Sequence, residues 1–489
     1  MMDSFGDNAA AASSPVRPVL PLGSNNRSWL SWRRHARGES TLGPPLPQRL
    51  LADVQWTVPL IAYLGFIFAI TSSRFPIGNI VIAAGLVGLI IERETFRVPN
   101  FLIWFALLLA WSAIGYIHTP YPDPVWDRLV ELVKVWAIVL VGVNALQSPP
   151  QVRLFTVFYL ACFAFYPVRG ALTNYFFYGE TVAGRAVWVK TFANSNDLAA
   201  LMLLPISMAA GMLVTEAAKW MKRAAQVGLA VMPMLVLMTQ SRGGVIALGV
   251  FIGASVVGQW RQLRTLLGSR RRIRVIVAIV LVLAVVAIAA PNGVWQRVGG
   301  LKYATTTEHL NEVDREGSAR QRYEIARVAV KIIKEHALTG VGVGAYPSAH
   351  ATYARDEEFD PMAAGMRDAH NTLLSVLAET GLPGCFAFVG LVLSAALGAE
   401  RVRRRCKREA PHLAMPLFFL EISLLSFFVA GLFGSFASMS FLYIHLGFLW
   451  SSAAATRREL ELAHVLLAKT AATRMTDHRV RGFVRASHH

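Results

Sequence analysis

The chain has 489 residues, of which 54% are hydrophobic and only 16% charged, and its formal net charge is +18. With a mean hydropathy of +0.45, it carries more apolar surface than a single water-covered globule can bury, which excludes a soluble globular fold. The positive charge does not argue for nucleic acid: the basic residues sit in short clusters beside apolar runs, where they act as topology signals.

In chain order, residues 1–49 come first, rich in Pro, Ser, Gly and Arg ("SSPVRPVLPLGSNN", "SWRRHARGES") and ahead of any apolar run. They predict a disordered, basic cytoplasmic tail, because a cleavable signal would place its apolar core nearer Met1. Apolar runs follow near 51–70, 76–91, 98–117, 128–146, 152–168, 196–214, 223–240, 243–259, 275–291, 382–399, 413–432 and 436–455. Each approaches the roughly 20 residues that cross about 30 Å of hydrocarbon, so the predicted fold is all-α and polytopic, with about twelve transmembrane helices. About nine of them fall within 50–291 and the rest within 382–455, followed by a basic cytoplasmic tail at 456–489. Placing the N-terminal arm inside keeps "ERETFR", "KWMKR", "RQLRTLLGSRRRIR" and "RVRRRCKR" inside as well. "HTPYPDPVWD", the loop 169–195, the "TQSRGG" tip and one long loop, 292–381, then face outward. Cys162 and Cys385 lie in apolar runs and Cys406 in a basic cluster, a spacing that gives no disulfide framework and no metal set.

The outward segments hold the candidate chemistry. In "TQSRGG", Arg242 stands at the membrane boundary and Gly243 and Gly244 open the next helix; backbone N–H groups at a helix start beside a guanidinium favour an anion, and the alternative is an arginine snorkelling at a tight turn. Arg185, in "GRAVWVKTFANSND", and Arg320, in "SARQRY", fall on the same side. "SARQRYEIARVAVKIIKEHALTG" places Ile325, Val328, Ala329, Ile332 and Ile333 at helical spacing, predicting an amphipathic helix ended by Gly340. "GVGVGAY" lacks the strand and helix of a dinucleotide fingerprint and reads as a flexible connection. The acidic run "DEEFD" has no cation-loop spacing and reads as a solvated loop.

"RDAHNTLLSVLAETGLPG", residues 367–384, sets His370 in the first turn of a helix, on one face with Leu373, Leu374 and Leu377. A helix start disfavours the imidazolium, and a neutral ring is what a general base requires; a structural histidine would look identical.

The order "FANSNDLAALMLLP", "TQSRGG", "SARQRYEIARVAVKIIKEHALTGVGVGAY" and "AHNTLLSVLAETGLPG" resembles the O-antigen ligase and O-antigen polymerase superfamily of polytopic bacterial membrane glycosyltransferases. The resemblance runs from roughly residue 55 to 455. It implies about a dozen spans, one large periplasmic loop carrying the catalytic residues, and an inner-membrane enzyme working at the periplasmic face. It implies metal-independent, inverting transfer of a glycan from undecaprenyl diphosphate to an acceptor hydroxyl, without a cofactor. Carried onto this sequence, it makes His370 the candidate base, Arg242 and Arg320 the ligands of the donor diphosphate with Arg185 as a looser match, and Asn371, Ser241 and Gly243 supporting residues. The implied partners are the lipid-linked donor, a glycan or lipid A-core acceptor, and membrane lipids, with no nucleic acid. Ligase, O-antigen or exopolysaccharide polymerase, and protein-modifying readings share these motifs. A lipid-linked glycan flippase is the rival from another class, but it would line a pathway at mid-membrane with charges, whereas these candidates collect at one face.

Overall fold

The computed structural model describes residues 54–266 and 318–486, apart from Arg74, Glu94, Thr95 and Ala217. The basic arm 1–49, the apolar run 275–291 and the start of the long loop, 292–317, lie outside the described residues. Among the described residues the fold is helical, without strands.

The longer helices before the long loop's described part are α1 Val58–Ser72, α2 Gly78–Ile91, α3 Asn100–His118, α4 Pro122–Ala145, α5 Pro149–Phe163, α6 Ser195–Leu201, α7 Leu203–Thr215, α8 Lys219–Met238 and α9 Arg242–Leu266. The second half holds α10 Ser318–Glu335, α11 Tyr346–Tyr353, α12 Thr372–Glu409, α13 Pro411–Gly431 and α14 Ser440–Ala486. Every predicted apolar run within the described residues is helical. Among the described residues, 6 helices are long and apolar enough to cross a membrane, and Val58–Ser72, Gly78–Ile91 and Arg242–Gly258 are shorter apolar helices. Apolar side chains such as Ile80, Ile90, Ile117, Leu393 and Leu425 are exposed, as lipid-facing residues of a multi-pass membrane protein are.

Several boundaries differ from the sequence reading for local reasons. α4 begins at Pro122, so much of "HTPYPDPVWD" is helix and not loop; Pro at the first positions is tolerated because those N–H groups have no helical acceptor. The loop 169–195 is partly helical too, since α5 runs on through wide π turns to Tyr178. α5 starts with a capping box, Gln151 Oε1 accepting from Ser148 N at 3.0 Å. Buried Asn144 ties α4 to the segment before α3, accepting from Arg97 N at 2.7 Å and donating to Arg97 O at 3.0 Å.

α12 packs against α3, α13 and α14 and also meets α10, so it joins the apolar bundle to the polar part. The stretch Gly-Leu-Pro-Gly does not end it. The backbone kinks at Gly381, whose φ of +64 suits glycine. Pro383 has no N–H for Glu379 O, and Leu382 N turns away to Ala337 O at 2.8 Å. The two carbonyls this releases are taken from the chain after α10: Ala378 O accepts from Val341 N and Glu379 O from Gly342 N, both at 2.9 Å. Trp111 Nε1 donates to Thr380 O at 2.8 Å.

The segment "GVGVGAY" is therefore the docking partner of the kink and not a flexible connection. Thr119 Oγ1 donates to Val341 O at 2.5 Å, and a Cβ on Gly342 would stand 2.5 Å from Val125 Cγ2. α10 is amphipathic as its spacing predicts, with Ile325, Val328, Ala329 and Ile332 buried.

Candidate functional site

A polar cavity of about 240 Å³ opens where α4, α6, the strap before α12 and the turn before α14 converge; Arg128, Asn196, Asp197, Asp368, His370 and Glu379 line it with Ser435 and others. Each side chain arrives by a local device. Asp197 sits in the first turn of α6, whose N-cap Asn194 accepts from Asn196 N at 2.8 Å. Glu379 stands two residues before the α12 kink at Gly381, and its carboxylate accepts backbone N–H groups of Gly344 and Tyr346 with Arg128 nearby. The docking of "GVGVGAY" onto the kink thus fixes a carboxylate at the cavity wall.

His370 does not occupy the first helical turn. Asn371 is the N-cap of α12, accepting from Leu373 N at 3.0 Å and Leu374 N at 3.1 Å, the arrangement asparagine favours at a helix start. This puts His370 one residue outside, with a left-handed φ of +48, a conformation that non-glycine residues adopt only where surroundings enforce it. Leu373 is exposed, so the ring is not seated on a leucine face. Asn371 supports the ring through the backbone it caps, while its Nδ2 donates to Leu432 O at 3.4 Å.

Burial and nearby charges both act on His370. Burial pushes its pKa below the ordinary value, the Arg322 guanidinium lowers it further, Asp368 opposes the shift and Arg367 adds to it. The imidazole is held neutral beside a guanidinium and a carboxylate. Arg322 is the residue that sequence reasoning missed on α10, where Arg320 was the candidate. Arg320 lies outside the cavity lining and pairs with Asp360 at 2.8 Å.

Asp360 belongs to "DEEFD", a loop whose Asp356, Glu357 and Glu358 are exposed as the sequence suggests, but which is also tied to α10. Lys331 meets Asp356 at 2.5 Å and Glu358 at 3.5 Å, and Arg327 meets Glu358 at 3.7 Å. Buried Phe359 lies beneath both cations at 5.4–5.5 Å. The run is a strap laced across α10, and its continuation, held by His350 Nδ1 against Gly365 O at 2.9 Å, delivers Asp368 and His370.

Arg185 and Arg242 lie outside the cavity lining. Arg185 Nη2 donates to Asn196 Oδ1 at 3.0 Å and Nε to Thr239 O at 2.9 Å, linking "FANSND" to the "TQSRGG" turn. Arg242 opens α9. The next residue, Gly243, is packed so closely that a Cβ would meet Phe433 at 2.7 Å, and Gly244 would meet Ala199 at 2.4 Å. The glycines serve close packing, and Gly244 N–H is bound at 3.2 Å by Ser241 Oγ, so that donor is not open to an anion. Phe433 precedes Gly434 of the cavity wall. The structure therefore gathers His370, Asp368, Asp197, Glu379 and Arg128 around one space, sets Arg322 within electrostatic reach of His370, ties Arg185 to Asn196 of the lining, and leaves Arg320 paired with Asp360.

Among the described residues no group of His, Cys, Asp and Glu has the arrangement of a metal site. No curated protein matches the chain. Residues 227–389, about a third of the chain, match the family model described as O-antigen ligase, and that segment holds Arg242, Arg320, Arg322 and His370.

Proposed function

We propose that the chain is an O-antigen ligase-like glycosyltransferase of the bacterial inner membrane, transferring a glycan from undecaprenyl diphosphate to an acceptor hydroxyl at the periplasmic face. The observation that carries this reading is a half-buried imidazole on the wall of a polar cavity it shares with Asp368, its neutral form favoured by burial and by the charge of Arg322. A sugar on a diphosphate is already activated, so the protein needs only to deprotonate the acceptor, stabilise the departing diphosphate and align the two. His370 takes the acceptor hydroxyl proton; the acceptor oxygen bonds to the anomeric carbon; the bond from that carbon to phosphate oxygen breaks, and its electron pair leaves with undecaprenyl diphosphate. Attack opposite the leaving group inverts the anomeric centre, and no metal or cofactor is required.

The diphosphate ligands are Arg322, Arg242 and Arg185, guanidinium forks near the cavity that bind phosphate bidentately. Arg320 joins them only if its pair with Asp360 opens. A flippase has no use for a neutral base set against a guanidinium, which favours transfer over transit. The test is the purified chain in lipid nanodiscs with undecaprenyl-diphosphate-linked glycan and an acceptor. His370→Gln should bind donor and transfer no glycan, whereas transfer at the wild-type rate by a folded His370→Gln protein rejects the assignment. A cysteine at Ser318 that is labelled only after the inner membrane is opened would reject the periplasmic placement.

A further inference from the structure

We propose that the cavity beside His370 is the acceptor subsite and that it takes the neutral, hydroxyl-bearing face of one sugar ring while refusing a ring that carries phosphate or carboxylate. This rests on His370 being the base, since the hydroxyl it deprotonates must come from the space it faces.

The cavity wall contains three carboxylates, Asp197, Asp368 and Glu379, against one guanidinium, Arg128. Arg128 is already engaged, its Nη1 donating to Glu131 at 2.7 Å, with Glu379 on its other side. Asp368 lies within electrostatic reach of Asp197, Glu379 and His370. Carboxyl groups accept hydrogen bonds and, where ionised, repel anions, so this space disfavours a diphosphate relative to the arginines outside its lining. A sugar diol has what carboxylates seek, adjacent O–H donors that one carboxylate can bind through both oxygens.

A second feature points to a ligand independently of the acids. Ser435 Oγ is buried, lines the cavity and has no hydrogen-bond partner, although buried hydroxyls ordinarily find one. A ligand hydroxyl entering the cavity supplies it. The volume, about 240 Å³, falls below the roughly 300–1,000 Å³ of drug-sized pockets, which suits one ring and not an extended chain.

Saturation-transfer NMR on the full chain in nanodiscs, with no donor present, tests the subsite directly. The probes are the methyl glycosides of glucose, galactose and mannose, methyl glucuronate and methyl glucoside 6-phosphate. At least one neutral glycoside should bind, and both acidic probes should bind at least about tenfold more weakly. Asp197→Asn with Asp368→Asn should erase that preference, and Ser435→Ala should weaken the neutral probe alone. Acidic probes binding as well as neutral ones, no neutral probe binding at millimolar concentration, or an unchanged preference in a folded double variant would each overturn the proposal. His370→Ala should keep the preference while losing transfer. Selective sugar binding without transfer from any lipid-linked donor would reject the proposed reaction and leave the subsite standing, while efficient transfer to acidic acceptors would reject the subsite and leave the reaction.

Discussion

Two arginines on α10, about 200° apart around the helix, have different surroundings. Arg320 faces the strap, where it pairs with Asp360 in a lattice with Arg327, Lys331, Asp356 and Glu358. Arg322 lies within electrostatic reach of His370, and its charge acts on that ring. Local sequence does not distinguish them, since both flank Gln321 in the same motif. What separates them is the strap: an acidic segment more than thirty residues away neutralises one face of the helix and leaves the other turned to the imidazole. The cations of the outer face hold the structure together, and that of the inner face tunes a titrating group.

The largest effect that can break this contrast is at the imidazole. A positioned base contributes about a hundredfold to ten-thousandfold, so His370→Ala should lose transfer on that scale, with donor binding and melting behaviour retained. The pH profile carries the sign. Burial and Arg322 lower the His370 pKa, so the neutral base persists below the ordinary histidine value of about 6.5, and transfer should fall only as pH drops through the lowered value. Removing the cation in Arg322→Gln makes the imidazolium easier to form, raises that pKa and moves the acid limb of the pH–rate profile upward. An acid limb that stays fixed in Arg322→Gln would show that the two groups do not communicate.

Next in size is the fork itself. Removing one well-placed donor to developing charge costs on the order of a hundredfold, and lysine keeps charge without the planar fork. Arg322→Lys should therefore fall well below wild type in transfer, while Arg320→Lys, which keeps an ion pair with Asp360 within reach, should change little. Equal losses in both variants would erase the distinction between the two faces.

The bundle was readable because runs of apolar residues long enough to cross a membrane leave little freedom of interpretation. The cavity was less so. Asp197 and Glu379 come from segments more than 180 residues apart, and only the fold makes them neighbours. A signal was present in both: a carboxylate at the edge of an apolar helix is costly and therefore points to function. Arg128 was hidden because it read as the first residue of the span 128–146, although Pro122 and Pro124 mark an earlier helix start. His370 was placed one residue too far inside the helix because Asn371 is the better N-cap. "GVGVGAY" and "GLPG" were each read alone, as a hinge and a terminator, when the hydrogen bonds lost at one are supplied by the other.

That mutual dependence gives a prediction on stability. A Cβ at Gly381 would stand 2.1 Å from Leu338 O, and the left-handed φ adds about 1–2 kcal/mol for an L-residue. Gly381→Ala should lower the melting midpoint by several degrees and reduce transfer with it, because Glu379 and the strap are positioned through this contact. Gly398→Ala, in the same helix with nothing within 4 Å of its added Cβ, should be neutral or slightly stabilising.

The smallest effect belongs to the outer face. The Arg320–Asp360 pair leaves the arginine side chain 45% exposed, and pairs of that kind contribute about 0–1 kcal/mol after solvent screening. Asp360→Asn should barely move the melting midpoint. Its effect on donor binding decides what Arg320 is for. If Arg320 serves only the strap, donor affinity in Asp360→Asn stays at the wild-type value, and Arg320→Gln is equally silent. If the carboxylate holds Arg320 away from a diphosphate it can otherwise reach, Asp360→Asn binds donor more tightly, Arg320→Gln cancels the gain, and the gain shrinks as ionic strength rises because the freed guanidinium acts through screened charge. Donor titrations of the two single variants and the double variant at low and high salt separate these outcomes, since a non-additive gain appears only when the two residues act on each other and on the donor.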